Sequence, residues 1–89
     1  MKIGVINMNQ VEYEKAIVNR EAFEYYLNGL AKVCGSGIDK VEVCWDDKDI
    51  QFMETHDYVT VTYLNGYNKK IDTTANSLQA TALEVLRRI

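Results

Sequence analysis

Tyr58-Val59-Thr60-Val61-Thr62-Tyr63-Leu64-Asn65-Gly66-Tyr67-Asn68-Lys69-Lys70-Ile71 is the stretch on which the fold turns. Residues 58–64 are β-branched or aromatic at nearly every position, which suits a pleated, half-buried strand. Asn65-Gly66 follows, a pair that tolerates the left-handed backbone of a tight hairpin. A two-residue turn would pair Val61 with Lys70 and put Ile71 on the face opposite Val59 and Val61. Side chains alternate along a strand, so that offset would divide the apolar set between two faces. A three-residue loop, Asn65-Gly66-Tyr67, pairs Val61 with Ile71 and Val59 with Thr73 instead, with Gly66 or Tyr67 helping to form a bulge.

Upstream of this hairpin, Val41, Val43 and Trp45 alternate with Glu42, Cys44 and Asp46, the signature of a strand with one buried face. Asp46-Asp47-Lys48-Asp49 reads as a turn, Ile50 and Phe52 as the start of a further strand, and Thr55-His56-Asp57 as its break. Residues 2–7 read as a short opening strand. Between them, residues 10–33 read mainly as helix, with Asn9 as an early cap or Asn19 as a late one; the early start is favoured. Val18, Ala22, Phe23, Tyr26, Leu30 and Val33 recur at three- and four-residue steps and are expected on its buried face, opposite Arg20, Glu21, Glu24, Asn28 and Lys32. Gly35-Ser36-Gly37 ends this helix. Because the glycines follow a helix, they lack the positive helix end that backs a phosphate cradle.

Downstream, a last helix starts near Ala75, with Asn76 as N-cap and Gln79 completing a capping box. Leu78, Ala82, Val85, Leu86 and Ile89 form its apolar stripe, and Arg87 and Arg88 complement its negative end. The expected whole is one α+β domain, residues 1–89, in two layers and of order β-α-β-β-β-β-α. One mostly antiparallel sheet of about four to five strands carries both helices on one face and leaves the other open.

Composition narrows the function classes. Hydrophobic residues make up 47% of the 89, and charged residues 26%, which is ordinary globular usage and argues against disorder. No apolar run reaches the roughly 18 residues of a membrane span, and the first seven residues are too short in apolar length for a secretion signal. A cytoplasmic protein is expected, with Cys34 and Cys44 as free thiols. The net charge of −3 lacks the clustered Lys and Arg that a nucleic-acid backbone demands.

No catalytic constellation emerges. Cys44 would need a base to form thiolate, and Glu42 and Asp46 on its own face oppose that ionisation. Cys34, Cys44 and His56 include no close pair of the Cys-x-x-Cys kind, so no zinc site is expected. Asp46-Asp47-Lys48-Asp49 lacks the glycine and terminal glutamate of a calcium loop. The chain is therefore read as a non-enzyme without cofactor. Residues 39–57 hold seven acids against Lys40 and Lys48, a local charge of −5. Asp46, Asp47, Asp49, Glu54 and Asp57 are the candidates for docking on a basic protein surface, with Tyr58 and Tyr67 as aromatic anchors.

Residues 58–89 run from strand through an Asn-Gly hairpin to Asp72-Thr73-Thr74-Ala75-Asn76-Ser77-Leu78, which opens a terminal amphipathic helix. This layout is similar to C-terminal halves of small α+β proteins encoded by phages and integrative elements. Anti-CRISPR proteins among them resemble the chain in size, acidity and lack of catalytic motifs. The resemblance implies a stoichiometric inhibitor that occupies the basic surface of a nucleic-acid-binding complex; no family site motif is shared, so no functional residue carries over. The other reading is a structural or regulatory homodimer pairing through the open sheet face lined by Tyr58, Thr60, Thr62 and Leu64.

Overall fold

Asn19 opens the first helix, because its side-chain Oδ1 accepts from the amides of Glu21 (2.7 Å) and Ala22 (3.2 Å) that have no intrahelical partner. The late cap is thus the one used, and the early start from Gln10 lies outside the described residues. The computed structural model describes residues 18–49 and 54–89. Within them run α1 (Arg20–Cys34), β1 (Ile38–Asp49), β2 (Glu54–Tyr63), β3 (Asn68–Asp72) and α2 (Leu78–Arg88). The three strands form one antiparallel sheet in the order β1-β2-β3. The fold is α+β with two helices and this sheet; the strands expected at residues 2–7 and from Ile50 lie outside the described residues.

Two expectations about the strands change. Asp46-Asp47-Lys48-Asp49 is not a turn, and Thr55-His56-Asp57 is not a break; both belong to long strands paired to each other, up to Asp49↔Glu54. Cross-strand hydrogen bonding overrides the weak strand propensity of the acids. The strain goes into bulges instead. Between Cys44 and Asp47 the register slips by one residue, with Asp46 at φ 60°, the left-handed region that Asp tolerates. A second slip between Ile38 and Lys40 lets Ile38 and Val41, three apart, both point into the core.

The hairpin keeps the parity expected but moves by one residue. Tyr63 donates its amide to the Tyr67 carbonyl, Gly66 donates to Tyr63, and Gly66 takes φ 92°. The loop is therefore Leu64-Asn65-Gly66, pairing Val59 with Ile71 and Val61 with Lys69. Placing glycine last puts the one left-handed residue where it costs least.

Both helices pack on one face of the sheet, as expected. Phe23, Leu27 and Ala31 of α1 and Val85 of α2 form a single core with Ile38, Val41, Val43, Val59, Val61 and Ile71. The buried stripe of α1 differs from the one read from periodicity: Ala22, Tyr26 and Val33 face solvent. The side chains beside the stripe explain the rotation. Asn28 donates to the Val41 carbonyl (2.7 Å) and accepts from the Val41 amide (2.8 Å). Glu24 accepts from the Val43 amide (2.7 Å), and Arg20 donates to the Val43 carbonyl (2.8 Å). The helix thus satisfies the outer backbone groups of an edge strand, as another strand would.

The helix ends also shift. Gly35 is not left-handed; a Cβ there would lie 3.0 Å from Ile89 Cδ1 and 3.1 Å from Ile38 Cγ1, so it serves close packing, and Gly37 takes φ 70°. Ser77, not Asn76, caps α2, with its Oγ accepting from the Ala80 amide (3.1 Å).

Candidate functional site

The bulge in β1 has a consequence for the acids. Consecutive strand residues normally alternate faces, yet Asp46 and Asp47 are both exposed. Asp39 and Glu42 are exposed on the same strand, Glu42 with its carboxylate 3.8 Å from Lys40. Backbone pairing sets positions 49 and 54 opposite each other at the same end of the sheet as Asp47.

Asp57 does not join them. It is 6% exposed, and its carboxylate accepts from the Asp46 amide (2.8 Å), pinning the bulge from within. Its carbonyl accepts from the Thr73 amide (3.0 Å) and its amide donates to Thr74 Oγ1 (3.1 Å). Asp57 therefore shapes the acidic corner instead of presenting charge.

Tyr58 stands on the sheet face away from the helices. Its ring lies under Lys70, with Nζ 4.0 Å from the centroid, a cation–π contact between diagonal neighbours of paired strands. Across β1 it meets Cys44, whose hydrogen bond raises the phenol pKa above the ordinary tyrosine range, helped by the negative charge of Asp47. A recess of about 360 Å³ beside it is lined by Asp47, His56, Asp57, Tyr58, Lys70 and Asp72. Tyr67 is elsewhere: it is 59% exposed at the hairpin end, its ring 5.8 Å from Tyr63, on the helix side of the sheet. Five residue steps of strand lead from Tyr58 to Tyr63, about 17 Å, so the two expected anchors do not share a surface.

His56 was weighed from sequence as a metal ligand and set aside, whereas Lys70 and Asp72 were not singled out. Their cue was hairpin register: with the loop at Leu64-Asn65-Gly66, Lys70 pairs with Thr60 and Asp72 with Tyr58. Displacing the loop by one residue carries both away from Tyr58. Among the described residues, no group of three or more His, Cys, Asp and Glu is placed to hold a metal ion. No described helix is long and apolar enough to cross a membrane. No protein-family model, curated protein sequence or solved structure matches this chain.

Proposed function

We propose that this chain is a small non-enzymatic protein-binding module, a stoichiometric inhibitor of the anti-CRISPR kind encoded by mobile elements. Its acidic corner docks on the basic surface of a nucleic-acid-binding protein in the cytoplasm. The observation that carries this reading is the side-by-side exposure of Asp46 and Asp47 on a bulge built for the purpose by buried Asp57. Two outward carboxylates on neighbouring residues concentrate negative charge and steer encounter with a cationic partner. Tyr58, in the neighbouring recess, supplies an aromatic surface that can be desolvated on contact. Pairing of two open sheet faces has less support, since Glu42, Lys70 and Asp72 lie around Tyr58, Lys40 lies further along the same face, and the core of a self-stacking interface is depleted in charge.

The test is capture from host lysate at low and moderate salt, comparing the native chain with Asp46→Asn/Asp47→Lys. Asparagine keeps the left-handed tolerance at position 46 while removing charge. A basic, nucleic-acid-binding protein retained by the native chain, lost with the variant and with salt, and displaced from its nucleic acid by the chain, is the expected result. Equal retention by both chains sinks the proposal.

A further inference from the structure

Among the described residues, helix α1 keeps an apolar face that stays largely exposed, with only the Tyr26 ring leaning on the core, 6.3 Å from that of Phe23. Tyr25 is 83% exposed, Tyr26 56% and Val33 85%, and Ala22 and Gly29 are exposed on the same side of the helix. These positions follow three- and four-residue steps, so they form one stripe opposite buried Phe23, Leu27 and Ala31. Gly29 is the telling member. A glycine inside a helix costs about 0.5–1 kcal/mol against alanine. The other described glycines are each required by the chain itself: Gly35 by close packing, Gly37 and Gly66 by positive φ. A Cβ on Gly29 meets nothing within 4 Å, and its φ is not left-handed. Nothing within the described monomer needs a glycine there.

We infer that this face binds a second copy of the same chain, helix against helix and antiparallel. In that orientation Tyr26 of one copy lies over Gly29 of the other, and Val33 over Ala22, so each large side chain meets a small one. The same alignment sets Glu21 near Lys32 of the second copy at both ends of the contact. Glu21 is free to do so, its side chain being 81% exposed and 4.0 Å from Arg20. Lys32 is exposed on the same flank, roughly three turns further along. A parallel pair would instead set tyrosine against tyrosine, leave the gap at Gly29 unfilled and put the Glu21–Lys32 flanks of the two copies on opposite sides of the contact, where neither pair forms. Charge complementarity and shape thus select one occupant and one direction.

The contact is small beside a standard interface of about 800 Å² per partner, so the dimer is weak and reversible. It stacks sheet, helix, helix, sheet, and leaves both acidic corners facing outward. It stands independently of the function proposed above.

Sedimentation of the native chain over a concentration series is the test, run where dimers with Kd of about 1 µM to 1 mM are populated. Gly29→Gln fills the gap while improving helix propensity, so the monomer stays folded and dimerisation falls by about tenfold or more. Glu21→Lys weakens the dimer, and adding Lys32→Glu restores it, which only the antiparallel pairing explains. A native chain that stays monomeric throughout the series overturns the inference. A dimer indifferent to Gly29→Gln and to the charge swap overturns it equally. Circular dichroism and melting of each variant confirm that the fold is retained.

Discussion

Single residues carry strain and charge that the monomer has absorbed. Ala75 sits at φ 67° in the turn before α2, a region where a Cβ is penalised. Ala75→Gly is expected to stabilise the fold by about 0.5–1 kcal/mol, measured by urea unfolding. An unchanged midpoint would mean the turn holds no such strain. Asp72 is held below the ordinary carboxylate range by the Thr74 hydroxyl (2.6 Å) and amide (3.0 Å), both donating to its Oδ1. A lowered folded pKa favours the ionised form on folding. Its contribution is therefore complete above the unfolded value near ~4 and is lost as pH falls through the folded one. Asp72→Asn should flatten the acid side of the stability–pH curve; a variant whose stability falls with acid as steeply as the native chain contradicts this. Asp46 was legible as an exposed acid, but Asp57 was not legible as a buried one. Their difference comes from the bulge, a feature of pairing between strands and not of either residue.

At the scale of elements, α1 does two jobs. Its Phe23-Leu27-Ala31 stripe fills the core, and its Arg20-Glu24-Asn28 row closes the outer edge of β1. Asn28→Ala leaves the Val41 amide and carbonyl without those partners, at a cost of about 1–3 kcal/mol. Hydrogen exchange at the Val41 amide should quicken by more than the global loss of stability requires. If Val41 exchanges no faster than its neighbours in the variant, the helix is not guarding that edge. The helix period was readable from sequence, but its rotation was not. Apolar residues occur on two sides of α1, and a 3.6-residue period cannot say which side meets the sheet. The polar row 20-24-28 resolves it, because only the edge of β1 makes those side chains worth half-burying.

For the whole molecule, a small core makes each buried side chain count. Leu27 is fully buried, so Leu27→Ala should cost about 2–5 kcal/mol, a large part of what a domain this size commands. Val33→Ala, on the outer face of the same helix, should stay within about 0.5 kcal/mol in the monomer. Equal losses at both positions would show that the outer face is packed. The sequence by itself determined the α+β class, the three strands around Val41, Val59 and Ile71, the parity of the hairpin and both helices. Each of these depends on local spacing: alternation, 3.6-residue periodicity and the left-handed tolerance of glycine. Only the tertiary structure decided the one-residue displacement of the hairpin, the bulge that turns Asp46 and Asp47 outward, the burial of Asp57 and the rotation of α1. Those depend on which backbone groups find partners across the sheet, and hydrogen bonds between residues distant in the chain leave no periodic trace in it.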